Sequence, residues 1–498
     1  MNPTNAPLMH MANIIKDFPG VRALDDVSFS LEPQSVHAIV GQNGAGKSTL
    51  INILNGSLAK DSGRILIDGK EAEINSTADA IDWGIACIHQ DMYVFPDMSI
   101  AENIFIGDMP TMGKTGHIDF KKMYHNARRI FEDMGIDIEV RRRVRGLGVA
   151  EQQLIMIARA LHRKSKILIM DEPTASLDVP EVEKLFTIIK RLIQSGQAVI
   201  YISHYLNEVF EIADTITVLR NGKKIITEQV IRLNENRVIE LMLGYKEETG
   251  QFVPNSEIGE IVLEVKNLNR AKVLNNVSFN LRAGEVIGFA GHLGSGRTEL
   301  VRAIFGADKR ESGSIFIRGK QMAINSPSEA VAAGLGLLTE EKFQGIIPMF
   351  SVKNNISLTN LKKLSRTLGL DNKKEKAMAE HFVALLKIKV SSVLQKVRNL
   401  SGGNQQKVIF AKWLHSDTKV LFLDEPTKGI DVGAKIEILN MILNLAKKGI
   451  AIVLISSEFS DLARVCNRVL ILRKGKIIKE FRDIPSDSFL QAEVNAAV

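Results

Sequence analysis

The feature that most constrains this chain is that it occurs twice. VRALDDVSFSLEPQSVHAIVGQNGAGKSTL, starting at Val21, aligns with AKVLNNVSFNLRAGEVIGFAGHLGSGRTEL, starting at Ala271. Lys47 and Gln90 face Arg297 and Glu340 at an offset of 250, and Leu147, Asp171 and His204 face Leu400, Asp424 and Ser457 at 253. The halves are therefore colinear apart from a net change of three residues between Gln90 and Leu147. So long a period means duplicated domains rather than a stack of short repeats. A length of 498 residues agrees, at roughly 100–200 residues per domain. The seam is placed in the polar stretch KEETGQFVPNSEIGE, 246–260, leaving domains at 1–245 and 261–498. A connector this short leads us to expect that the halves pack against each other.

Within each half, short β-branched runs such as SVHAIV, KILIM and AVIYIS alternate with amphipathic stretches such as VEKLFTIIKRLIQSG. That alternation predicts an α/β fold, a mostly parallel sheet with helical crossovers. Residues 101–150, charged and containing AENIF, are expected to be mainly helical, an inserted helical subdomain between two sheet segments.

GQNGAGKST, 41–49, follows a strand-like run and opens a helical one. Its glycines let backbone N–H groups turn toward a phosphate chain at a helix N-terminus. Gly41, Asn43, Gly44, Ala45, Gly46 and Thr49 shape that cradle. Lys47 is placed for the β- and γ-phosphates and the Ser48 hydroxyl for Mg²⁺. ILIMDEPT, 167–174, ends a strand in two carboxylates. Asp171 suits a Mg²⁺ contact, and Glu172, one residue on, suits polarisation of an attacking water. His204 closes the strand AVIYISH, where an imidazole reaches a γ-phosphate, although a lone strand-end histidine is more often structural. Gln90 can touch Mg²⁺ or that water through its carbonyl oxygen.

Several classes are excluded on composition. A net charge of +7 with a pI near 9.1 suits an anionic ligand or surface but is too small to indicate nucleic acid. Two cysteines, Cys87 and Cys466, exclude a disulfide scaffold and fit a reducing cytosol. No apolar run approaches the roughly 18 residues of a membrane helix, and MNPTNAPLMH lacks a signal-peptide pattern. The expectation is a soluble intracellular protein.

The order phosphate loop, Gln90, short signature, DEPTASLD and ISH resembles an ATP-binding-cassette (ABC) ATPase, and LSGGNQQK, 400–407, is among the most specific short motifs of that class. FPGV at 18–21, MYVFPDMSIAENIFIG and DEPTKGIDVGAK further resemble the fused double-cassette ATPases of bacterial monosaccharide importers, of the ribose, galactose and xylose type. The resemblance implies two tandem P-loop NTPase cassettes, each with a mixed or parallel sheet core, a β-subdomain and an inserted helical subdomain. It implies ATP and Mg²⁺ as cofactors and places Phe18 on the adenine; from the residues alone, a core aromatic is an equal reading.

Cassettes of this type pair head to tail, so the resemblance implies two shared sites. Site one combines Lys47, Ser48, Gln90, Asp171, Glu172 and His204 with Ser401, Gly402 and Gly403. Site two combines GHLGSGRT, including Gly294, Gly296, Arg297 and Thr298, with LGVAE at 147–151. There Gly148 offers no hydroxyl, Ala150 adds a methyl, Glu340 and Ser457 replace glutamine and histidine, and Arg297 is a planar fork rather than a point charge. Hydrolysis is expected mainly at site one, and nucleotide binding at site two is left open. The resemblance further implies a cytoplasmic-face peripheral subunit working with integral-membrane permease subunits, a homodimer or heterodimer, and an extracytoplasmic sugar-binding protein. Specificity would reside in those partners, which leaves the sugar open. The rival is a soluble tandem-cassette translation factor, which the short connector, the decayed second site and the lack of basic runs interleaved with aromatics disfavour. No nucleic-acid partner is expected. RRRVR, 141–145, reads as an exposed helix or turn. Met92, Tyr93, Val94 and Phe95 are expected to line a permease groove, with buried core as the alternative.

Overall fold

The computed structural model describes residues 7–89, 93–113, 116–163, 165–174, 177, 179–203, 205–244, 254, 257–292, 294–366, 369–482, 484 and 487–496. The expectations on Gln90, Met92, His204 and most of the 246–260 connector lie outside these residues. The chain forms two compact units, Met1–Glu247 and Glu248–Val498.

In the first unit, β1 (Met9–Phe18), β2 (Val21–Leu31), β4 (Ser62–Ile67) and β5 (Lys70–Glu71) form an antiparallel sheet in the order β2-β1-β4-β5, with β3 (Val36–Val40) lying in the larger sheet. That sheet adds β6 (Ile85–Ile88), β7 (Ile167–Asp171), β8 (Ala198–Ile202), β9 (Thr215–Arg220) and β10 (Lys223–Gln229), in the order β10-β9-β3-β8-β7-β6. Only the β9–β10 pairing is antiparallel. β3 and β8 are buried at every position, as parallel strands covered on both faces must be. The register Val36↔Val199 and Asp171↔Ile202 brings the carboxyl ends of β3, β7 and β8 to one edge. Ligands of open α/β sheets bind at that edge.

Eight α-helices and a 3-10 turn, Val230–Arg232, complete the described part of this unit: α1 (Lys47–Leu54), α2 (Thr77–Asp82), α3 (Ile100–Ile104), α4 (Phe120–Met134), α5 (Val149–His162), α6 (Val179–Gln194), α7 (Leu206–Ile212) and α8 (Glu235–Leu243). The helical subdomain is α3 to α5, which differs from an expectation confined to 101–150. Segments 105–113, 116–119 and 135–148 are turns and bridges, broken by Gly107, Pro110, Gly113, Gly116 and Gly135, while helix runs on to His162. In α4, Met123, Ala127, Phe131 and Met134 form one buried stripe, Asp119 caps the start through Lys122 N, and Gly135 ends it at φ 72°. Such spacing and capping is what fixes a helix of this length. RRRVR is an exposed turn pinned by Val144, 1% exposed, with Arg142 and Arg145 paired to Glu151 and Asp97.

The second unit repeats the plan. Ile261–Arg270, Leu274–Arg282, Ser312–Ile317 and Lys320–Met322 make the antiparallel sheet. The six-stranded sheet runs Leu335–Leu338, Val420–Asp424, Ala451–Ile455, Val286–Ala290, Arg468–Arg473, Lys476–Phe481. Among the described residues, no helix is long and apolar enough to cross a membrane.

Candidate active site

β3 delivers the chain to the sheet edge, and residues 41–46 turn it into α1. Gly46 holds φ 102° at the head of α1, and a Cβ there would meet Ala23 O at 2.7 Å. At Gly41 a Cβ would meet Leu219 O at 2.4 Å. These two positions exclude any side chain. Asn43 and Gly44 are exposed at the crest, while Ala45 is buried and donates its N–H to Gln42 O at 3.0 Å. No side chain caps the head of α1, the arrangement that leaves N–H groups for a phosphate. Lys47 folds back onto the loop, its Nζ donating to Gly41 O at 2.7 Å and Gln42 O at 3.1 Å. Ser48 is exposed and Thr49 half-buried beside it.

Asp171 ends β7 level with Ile202. Burial pushes its carboxyl up, the charge of Glu172 pushes it further, and His89 and Lys47 draw it back. Two carboxylates crowded this way, with the Ser48 hydroxyl on the same edge, form a donor set of the hard oxygen type that suits Mg²⁺. Glu172 sits at φ 48°, a left-handed conformation that a non-glycine residue keeps only when its surroundings enforce it. They do so here: Glu172 N donates to Ile202 O at 2.9 Å, and Gln153 of α5 donates from Nε2 to Pro173 O at 2.5 Å.

The second unit copies the backbone and changes the chemistry. Gly294 and Gly296 keep left-handed φ values of 76° and 102°, and Glu425 repeats the strain at φ 49°. Arg297, however, donates from Nη1 to Ser456 O at 3.1 Å rather than to carbonyls of its own loop. Glu340 pairs with Lys428 at 2.8 Å. Asp424, 2% exposed, is lifted to about 6 by burial, against a hydrogen bond from Thr298 and with further help from Glu340. Glu425 is lifted to about 7, again chiefly by burial, and accepts from Ser457 Oγ at 3.1 Å. Buried acids held toward their neutral form are weaker metal ligands than the partly exposed pair of the first unit.

The two signatures differ as well. Ser401 is the exposed N-cap of the helix Gly402–His415, and its Oγ accepts from Asn404 Nδ2 at 2.8 Å, leaving the hydroxyl proton to donate outward. Gly403 is buried, and a Cβ there would strike Ala434 Cβ at 2.6 Å, so helix packing alone already requires glycine. In the first unit, the N–H of Gly148 donates instead to Glu151 Oε2 at 3.0 Å. A carboxylate thus occupies the anion-binding end of α5.

The first unit therefore gathers Lys47, Ser48, Asp171 and Glu172, while Ser401, Gly402 and Gly403 stand together in the second. Phe18 is 42% exposed, with Lys16 Nζ 5.7 Å from its ring centre, so it is not a core aromatic. Tyr93 and Phe95 are 64% and 50% exposed and are not core either. Gln153, its counterpart Gln406 (Nε2 to Pro426 O, 3.0 Å) and Glu208 were missed from sequence; the paired glutamines after each signature were the available signal.

A nucleotide-cradling loop, a strand-end acid pair and a signature helix, each present twice, define a tandem-cassette ATPase. The ABC transporter family model matches residues 24–175 and 274–428, and the chain belongs to that family. It is 45% identical over 486 residues to the xylose import ATP-binding protein XylG of Thermoanaerobacter pseudethanolicus, covering 95% of this chain and 96% of that one. It is 44% identical over 474 residues to a putative ribose/galactose/methyl galactoside import ATP-binding protein of Halalkalibacterium halodurans, covering 95% and 91%. The ribose import ATP-binding protein RbsA of the same organism is 41% identical over 474 residues, covering 95% of each.

Proposed function

We propose that this ATPase energises the import of a monosaccharide, working at the cytoplasmic face of the membrane with separate permease subunits and an extracytoplasmic sugar-binding protein. Support for the cargo comes from the relatives, whose names cover xylose, ribose and galactose import. ATP is hydrolysed at the site that joins the phosphate loop of domain 1–245 to the LSGGN signature of domain 261–498. Lys47 and the loop amides hold the phosphates, and Phe18 stacks on the adenine. Ser48, Gln90 and Asp171 hold Mg²⁺, which neutralises phosphate charge. Glu172 polarises the attacking water, His204 contacts the γ-phosphate, and the Ser401 hydroxyl donates to it from the other domain. The second site, with Gly294, Gly296, Arg297 and Thr298, holds nucleotide without turning it over.

One observation carries this assignment: Lys47 lies against its own loop while Arg297 is drawn to Ser456 O. The test is Ser401→Ala, with steady-state ATPase measured on the full chain. Loss of one hydroxyl that stabilises transition-state charge lowers turnover on the order of tenfold or more. Gly148→Ala at the other signature leaves it within about twofold, since no hydroxyl is lost there. Unchanged turnover in Ser401→Ala would refute the shared site.

A further inference from the structure

Glu208 on α7 is 8% exposed, and one of its oxygens, Oε2, accepts from three hydroxyls. Thr174 Oγ1 lies at 2.7 Å, the Tyr201 hydroxyl at 2.9 Å and Ser203 Oγ at 3.2 Å. Thr174 stands two residues beyond Glu172, and Ser203 immediately precedes His204. Ser203 Oγ also accepts from the N–H of Tyr205, on the far side of His204. The carboxylate thus binds the turn that carries Glu172, one expected reacting group, to the strand end at Ser203. Tyr201 is fully buried, and burial with the charge of Glu208 pushes its phenol well above its ordinary range, so it remains a donor. Hydrogen bonds to an ionised acceptor are roughly twice as strong as neutral ones, and a buried network of them fixes geometry.

The second unit solves the same local problem differently. Thr427, the counterpart of Thr174, donates to Asp461 Oδ2 at 2.7 Å. Asp461 is ion-paired with Lys435 at 2.8 Å, and Lys435 also meets Glu458. Leu454 stands where the first unit has Tyr201, and Val182 stands where the second has Lys435. The hydroxyl set belongs to the unit that also carries Lys47.

We propose that Glu208 is a positioning residue for ATP hydrolysis, tying Thr174 to Ser203 so that Glu172 holds its placement at the sheet edge. The strained φ of Glu172 is what makes such a tie matter, because a left-handed non-glycine residue relaxes when its turn is released. Glu208 touches no substrate; it acts through its neighbours. The proposal rests on the reading of Glu172 as the group that polarises water.

The experiment measures kcat and KM for ATP, with thermal melting, on the full chain carrying Glu208→Gln, Thr174→Val, both together, and Glu172→Gln. Glu208→Gln is nearly isosteric and removes the charge. A misplaced base lowers kcat roughly tenfold while KM for ATP stays within about twofold, because the phosphate loop is untouched. Thr174→Val lowers kcat in the same direction, and the double variant loses no more than Glu208→Gln alone, as members of one network do. A kcat that falls only in proportion to the folded fraction, or additive losses in the double variant, would overturn the proposal. Should Glu208→Gln not fold, Thr174→Val with unchanged kcat has the same force. Glu172→Gln separates the two layers: if it retains turnover, the reading of Glu172 fails; if it loses turnover while Glu208→Gln and Thr174→Val do not, only the positioning role fails.

Discussion

Glu425→Gln should stabilise the second domain in alkaline solution and leave it nearly unchanged in acid. Glu425 is 7% exposed, and burial lifts its carboxyl from 4.5 to about 7, against a backbone hydrogen bond at Ser457 and the charge of Arg297. At 1.36 kcal/mol for each tenfold change in acidity, the ionised form is disfavoured in the fold by about 3 kcal/mol at most. The unfolded chain ionises at its ordinary value. Between about 4.5 and 7 the folded state therefore binds the proton more tightly than the unfolded state does. Stability from this group is complete below 4.5, falls as pH rises to 7, and is level above. Glutamine removes the charge, keeps the shape and still offers an oxygen to Ser457 Oγ. At 2–4 °C per kcal/mol for a domain of this size, the gain at pH 8 is at most roughly 6–12 °C. At pH 5 the variant and the parent melt within about 2 °C of each other. Calorimetry of the nucleotide-free chain at the two pH values, following the transition of the second domain, measures both. An equal shift at pH 5 and pH 8, or a lower melting temperature at pH 8, would refute the burial argument.

Two further outcomes concern the exposed aromatics of the first domain. Charged residues at Tyr93 and Phe95, which are 64% and 50% exposed, should leave basal ATPase within about twofold and abolish complex formation with the permease, read by co-purification. Loss of folding or of basal ATPase would assign them to the domain's own packing. Phe18→Ala should raise KM for ATP about five- to tenfold with kcat nearly constant, the value of one base–aromatic stack; unchanged KM would remove Phe18 from the site.

The duplication, the phosphate loop and the strand-end acids were legible in sequence because each is a local pattern with a fixed chemistry. A buried run such as VHAIV followed by GQNGAGKST has few alternatives, and its strand is buried throughout. What escaped depends on contacts distant in sequence. The left-handed backbone of Glu172 exists because Ile202 O and Gln153 Nε2 hold its turn. Glu208, in HYLNEVF, reads as one more helical surface charge until Thr174 and Tyr201 converge on it. Arg297 reads from sequence as a planar fork in place of a point charge, but only the fold shows that the fork donates to Ser456 O. The helical subdomain was misjudged at its end because the turn after Gly135 hides the continuation into Val149–His162.

The proposal that the two halves do unequal work is tested most directly by single-residue changes at the two strand-end acids. Sugar-stimulated ATPase of the chain reconstituted with its permease and binding protein should fall by about 10² or more in Glu172→Gln, with ATP binding retained. Glu425→Gln should keep turnover within about threefold if, as proposed, the second site does not turn nucleotide over. Comparable losses at the two positions would contradict the account.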